Sequence, residues 1–504
     1  MADTELRHEK AKLQKVLHRW DLLLFGACAI IGLDTVAASA GTGGASLVWL
    51  VLSLVLFLVP YGFVIAELGT SFPAEGGIYT WSTLAYGKLT GEITAILYWL
   101  SNAIWIGGTL AGTSIAAINV FFLPDHPVNT AWSIVIGLIF VWVNIGIAVV
   151  SLKHGKWAGN LGAAFKAIAV FLFAGLVVAY LVKNGVPAGT VTAHDMVPNA
   201  TNFLAVVGII VFLWVGFELE SSASEEMVNP QRDVPRGIVG SGLMSAVLYL
   251  LVIGGILLVI PTKTLTNVGG WTDAYATVAT VLGGAAKPVG YLVAVIIILT
   301  LIGSGSVWIL GSCRVQAVAA LDGAAPRALG RFSKEGTPIA MALLSGIIGS
   351  AFVFMVFLLA NGSLGNFFAV MLSLSISTAV LAYFFSVPAA ITLRRKYPHV
   401  PRPFRVPGGT AGLWICVILS EAGVILTGIT LLWPGLIESL LGQSYSMQDS
   451  WGVSRVFFEG VTLGTFLVII LIAVVFWAIG RAQTRGTLPE SGEELIEGVV
   501  TEEV

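Results

Sequence analysis

Three ionisable side chains stand where their neighbours offer them no water: Asp34, Lys166 and Glu218. Each lies within an apolar run long enough to cross a bilayer. A charge at that depth is costly unless it faces protein or a water-filled cavity. The two acids sit in similar settings. Asp34 belongs to "GACAIIGLDT" (26–35) and Glu218 to "FLWVGFELESS" (212–222), and both segments mix glycine, acidic and hydroxyl residues into an apolar background. Residue type allows two readings. The carboxyls lock helix contacts through hydrogen bonds, or they line a cavity where they attract a cationic amine or exchange a proton. Glu220 points elsewhere on a helix than Glu218, so only one of them needs to face such a cavity. Lys166 either reaches back to the interface along its aliphatic stem or stands in for a bound cation, joins neighbouring helices and titrates. Two aromatic residues add to the set. Phe212 lies in the second acidic segment, and Trp308 follows Gly303-Ser-Gly-Ser306, where small residues admit a close helix neighbour. Either ring could close over an amine by cation–π contact.

Other chemistries find no support. There is no G-x-x-x-x-G-K-[ST] loop, no nucleotide domain and no cluster of metal ligands. None of the six histidines falls in the middle of an apolar run. No cofactor, no metal and no nucleic-acid partner is expected, and no enzyme activity. Cys28, Cys313 and Cys416 lie within or at the ends of apolar runs and predict free thiols.

The elements that position these residues must be solvated by lipid. Hydrophobic residues make up 57% of the chain and charged residues 11%, with a mean hydropathy of +0.91. Apolar runs cover 20–42, 45–67, 90–122, 129–151, 158–183, 201–224, 235–260, 287–320, 338–360, 365–393, 410–434 and 455–480, which predicts an all-α membrane protein of twelve spans. Of the 26 lysines and arginines, Lys183, Lys263, Lys287 and Arg455 fall to one side and Lys166 within a span. All the others fall to the opposite side. The positive-inside bias then sets both termini in the cytoplasm and supports an even number of spans. Residues 1–19 read as a polar, basic cytoplasmic tail rather than a cleavable leader, and 481–504 as an acidic, disordered cytoplasmic tail. The 261–286 loop has room for a short helix. "YPHVPRPFRVPGG" (397–409) cannot be helical throughout.

Four segments carry a family resemblance: "AELGTSFPAEGGIYTW" (66–81), "GFELESSASEEMVNPQRDVPRGI" (216–238), "LDGAAPRALGRFSKEGTPI" (321–339) and "YPHVPRPFRVPGG" (397–409). Through them the chain resembles the amino acid–polyamine–organocation permeases, among them the arginine/agmatine exchanger, and through "VPYGFVIAELGT" (59–70) it is similar to the glutamate/γ-aminobutyrate exchangers. The resemblance implies two inverted five-helix repeats, 20–183 and 201–394, with helices 1 and 6 interrupted, followed by two extra helices in 410–480. It also implies site roles. Ser101 and Asn102, after "LYWL" (97–100), match substrate-facing positions. Phe212 matches a gating aromatic and Trp308 a substrate-stacking tryptophan. Glu218 matches a glutamate tied to proton sensitivity, and Lys166 a lysine that stands where sodium-coupled relatives hold an ion. Where the family has a Gly-Ser-Gly turn, the aligned letters here are Gly32-Leu33-Asp34; counting back from "TGG" (42–44) shifts that register by about a turn. The implied substrate contacts are therefore Ile31, Gly32, Leu33, Asp34, Thr35, Ser101, Asn102, Phe212, Val215, Gly216 and Trp308, with Lys166 and Glu218 coupling protons.

The expected activity is secondary transport of an amino acid or related amine across the cytoplasmic membrane by alternating access, driven by protons or by exchange. Asp34 in the first register would repel a substrate carboxylate, which favours an amine or polyamine, or a cationic amino acid held by its side chain. The rival classes are a channel and a non-transporting membrane scaffold.

Overall fold

The structure is a computed structural model that describes residues 19–74, 76–150, 152–221, 230–261, 264–265, 270–334, 336–359 and 364–485. The tail 1–18, residues 486–504 of the acidic tail and the side chain of Glu220 lie outside the described residues. Among those described, all regular structure is helical.

In chain order the helices are α1 (Arg19–Ile30), α2 (Val36–Gly41), α3 (Ala45–Ser71), α4 (Ile78–Tyr86), α5 (Lys88–Phe121), α6 (Thr130–Val149), α7 (Leu152–Asn184), α8 (Ala200–Leu213), α9 (Glu218–Ser221) and α10 (Pro230–Val259). They continue as α11 (Gly270–Ala279), α12 (Ala286–Leu321), α13 (Ile339–Leu359), α14 (Leu364–Leu381), α15 (Tyr383–Lys396), α16 (Gly409–Leu432), α17 (Leu436–Leu440), α18 (Met447–Trp451) and α19 (Arg455–Thr484). Ten of the spans they form are long and apolar enough to cross a membrane, so this is a multi-pass membrane protein.

Burial separates the centre of the bundle from its rim. The most apolar stretches of α5 and of the α14–α15 span are each 83% buried by protein, against 17% for α19. The site residues are therefore sought around α5. That helix widens into a π-helical turn at Ile106–Leu110, directly after Trp105. α7 and α12 approach closely through small residues. A Cβ added to Gly162 would lie 3.1 Å from the Gly303 Cα, as the Gly-Ser-Gly-Ser run predicts.

Two of the expected spans are interrupted by several consecutive non-helical residues. The first separates into α1 and α2 around residues 31–35, and the sixth into α8 and α9 around 214–217. A capping box fixes the start of α8: the Asn199 side chain accepts from the Asn202 N–H while Asn202 accepts from Asn199. The 261–286 loop holds α11.

One expectation needs correction. Lys166 is not alone among basic residues within a span. α12 runs on to Leu321, and Arg314 is buried inside it with its guanidinium donating to the Gly336 carbonyl at 3.0 Å. Buried charge also ties the basic-loop end together. Arg394 on α15 grips Glu67 of α3 with two bonds of 2.5 Å, and Glu67 accepts from the Val406 N–H at 2.7 Å. Asp322, after α12, receives Tyr79 of α4 at 2.5 Å and pairs with Lys88 of α5 at 3.0 Å. Three of the sequence segments quoted above thus work as clasps between helices.

Candidate functional site

An interrupted helix leaves its last carbonyls without intrahelical partners, and in lipid those groups need donors from elsewhere in the protein. At the end of α1 each one finds a donor. The Lys166 ammonium of α7 donates to the carbonyls of Cys28 and Ile31. The Trp308 indole of α12 donates to Ala29 at 2.9 Å. The Tyr249 hydroxyl of α10 donates to Ile30 at 2.5 Å and accepts from the Gly32 N–H at 2.8 Å. The Thr35 hydroxyl turns back onto the Gly32 carbonyl at 2.8 Å. A helix C-terminus carries partial negative charge, so an ammonium suits it. Lys166 is 1% exposed, which excludes the snorkelling reading.

Asp34 sits in this first break and is 2% exposed. Its Oδ2 accepts from the Trp105 indole of α5 at 2.8 Å. Its Oδ1 is buried and has no hydrogen-bond partner among the described residues.

The second break is organised around Glu218. Its Oε1 accepts from Tyr98 of α5 at 2.9 Å and from Tyr383 of α15 at 2.6 Å. Its Oε2 accepts from Tyr61 of α3 at 2.6 Å and from the Gly216 N–H at 3.1 Å. Four donors surround one carboxylate, which is 1% exposed.

The two breaks meet at Gly216. Its φ of +129° lies in a region that L side chains avoid, and a Cβ there would stand 3.1 Å from Ile30 Cγ1 and 3.3 Å from Trp308 Cζ2. Trp308 bridges the two sides. Its ring packs on Trp105 at 6.2 Å between centroids and on Tyr98 at 5.8 Å. One helical face of α5 therefore runs from the Glu218 cage through Ser101 and Asn102 to Asp34. Ser101 and Asn102 are buried and bond back to the Tyr98 carbonyl at 2.8 and 2.7 Å.

Of the residues singled out by sequence, Ile31, Gly32, Leu33, Asp34, Thr35, Val215, Gly216, Glu218, Trp308 and Lys166 are buried in or against the two breaks. Phe212 is half-buried near the end of α8, and among the described residues its ring stacks on no other. The sequence reading missed Tyr61, Tyr98, Trp105, Tyr249 and Tyr383. A signal was available. Tyrosine and tryptophan inside an apolar span each carry one polar atom that must find a partner.

A family model described as "Amino acid permease" matches residues 17–487. A probable agmatine/putrescine antiporter of Lactococcus lactis is 30% identical over 406 residues, covering 79% of this chain and 84% of its own. An uncharacterized transporter of Legionella pneumophila is 29% identical over 82% of this chain and 88% of its own. A branched-chain amino acid permease of Bacillus subtilis is 26% identical over 87% and 94% respectively. The chain belongs to the amino acid permease family, within the amino acid–polyamine–organocation superfamily, and is a transporter rather than an enzyme.

Proposed function

We propose that the chain carries organic amines, or amino acids recognised through a cationic group, across the cytoplasmic membrane by alternating access. The substrate lies between the two breaks, with its ammonium on Asp34 and its body against Trp105 and Trp308. Ile31, Gly32, Leu33, Thr35, Ser101, Asn102, Val215 and Gly216 complete the wall, while Phe212 and Trp308 act as gates. The observation that carries this reading is Asp34 Oδ1, a buried carboxylate oxygen with no hydrogen-bond partner among the described residues, next to the indole that holds its twin. An ammonium satisfies that oxygen by a charge-assisted hydrogen bond and gains from the aromatic faces. The Lactococcus relative is named for two amines.

Counting α1–α2 and α8–α9 as one crossing each raises the ten spans to twelve. We read these as inverted repeats over 20–183 and 201–394, plus two helices in 410–480, because the first crossing of each half is the broken one. The basic loops set both termini in the cytoplasm. Energy comes from exchange, or from protons handled by Lys166 and Glu218.

Counterflow in proteoliposomes loaded with putrescine or agmatine tests the reading. Wild-type uptake should saturate, and Asp34→Asn should lower it by about tenfold or more, the worth of one hydrogen bond to a charged group. Unchanged amine uptake in Asp34→Asn removes the amine assignment. The Bacillus relative favours a second reading, a neutral amino acid, which predicts leucine counterflow that survives the substitution. Flux that never saturates would indicate a channel, and no flux a scaffold.

A further inference from the structure

A separate cluster of charge lies away from the breaks, where α15 ends and α16 begins. Arg394, Arg395, Arg402 and Arg405 line one open cavity of about 430 Å³, with Trp414 of α16 on its wall. No acid is among the lining residues. The ion pairs of this group converge on Glu67, which binds Arg394 at 2.5 Å and lies 3.8 Å from Arg402. Arg395 lies over the Trp414 ring, 5.6 Å from its centroid, and Arg405 is exposed. Burial lowers the Arg402 guanidinium from its ordinary pKa; Glu67 opposes that shift, and the charges of Arg394 and Arg405 add to it. Among the described residues Glu67 therefore pairs with two of the four guanidiniums, and Arg395 and Arg405 are exposed with no carboxylate partner.

The position of the cavity says what could answer that charge. Trp414 is 40% exposed, and Ile415 and Ile418 beyond it are 59% and 58% exposed on an apolar helix. Such a face meets lipid, and an exposed tryptophan at its end sits at headgroup level. The cavity opens at that level, on the side where the basic loops gather. Guanidinium forks match phosphate oxygens in charge and in geometry. We infer that this cavity binds the phosphate of an anionic phospholipid, whose acyl chains lie along Trp414, Ile415 and Ile418. The inference rests on the membrane placement of α16 and not on the substrate reading. Its effect would be to neutralise Arg395 and Arg405 and to hold the start of α16 against the end of α15.

The test titrates the purified full-length protein in detergent with phosphatidylglycerol, phosphatidylcholine or glycerol 3-phosphate and reads the melting temperature. Phosphatidylglycerol should raise it, and the other two should not. Arg395→Gln with Arg405→Gln leaves the Glu67 clasp intact and should require about thirtyfold more phosphatidylglycerol for the same rise, at the usual worth of a basic residue near an anionic surface. Equal shifts from both lipids, or an unaltered dose dependence in the double variant, would overturn the proposal. A full shift from glycerol 3-phosphate alone would also overturn it, by assigning the cavity to soluble phosphate esters. Native mass spectrometry of the wild type, which should retain phosphatidylglycerol over phosphatidylcholine, reads the same preference without any substitution.

Discussion

The two breaks hold buried acids in opposite ways. At the first, Lys166, Tyr249 and Trp308 come from three other helices to satisfy the stranded carbonyls of α1, yet one oxygen of Asp34 is left over. At the second, three tyrosines and a backbone N–H all converge on Glu218. Burial and charge type are the same at both; the number of donors differs. A carboxylate that already has four partners frames the fold. A carboxylate with a bare oxygen can dock a ligand.

Substitutions can break that contrast. Glu218→Leu should have the largest effect, because it strands three hydroxyls and one N–H. At about 1–3 kcal/mol for each buried group left without a partner, the loss is roughly 4 kcal/mol or more. It is read as a fall in melting temperature and in the yield of folded protein; wild-type values would refute the framing role. Lys166→Ala should come next, at about 3 kcal/mol, since it removes the donor of two carbonyls at the end of α1. The variant should still reach the membrane but lose uptake or its dependence on a proton gradient. Unchanged gradient-dependent uptake would defeat the coupling role. Tyr383→Phe removes one of four donors and should cost about 1.5 kcal/mol, seen in chemical or thermal unfolding, with amine affinity retained. Trp308→Phe strands the Ala29 carbonyl, about 1 kcal/mol by the same measurement, besides the contacts with Trp105 and Tyr98 that the smaller ring gives up.

Much of this was legible in the sequence because lipid leaves few options. Apolar runs of bilayer length must be helices, and glycine with acid in the middle of a run marks an interruption, as at Gly32-Leu33-Asp34 and Gly216-Phe217-Glu218. Lys166 stood out for the same reason. The partners were not legible. Tyr249 meets Gly32 across 217 residues and Tyr383 meets Glu218 across 165, so no local pattern records either contact. Nor did residue type distinguish the two acids; their donors come from helices remote in sequence. Arg314 was sorted with the basic loops although it lies within the 287–320 run; α12 buries it and sets it on the Gly336 carbonyl.

Ligand-induced melting shifts of wild type and Asp34→Asn, titrated with agmatine, putrescine and leucine, bear most directly on the contrast between the breaks. Asparagine can still accept from Trp105, so the unliganded melting temperature should hardly change. Agmatine or putrescine should stabilise the wild type and bind Asp34→Asn about ten- to a hundredfold more weakly. Equal amine shifts in both proteins would contradict the assignment of Asp34 as the docking acid.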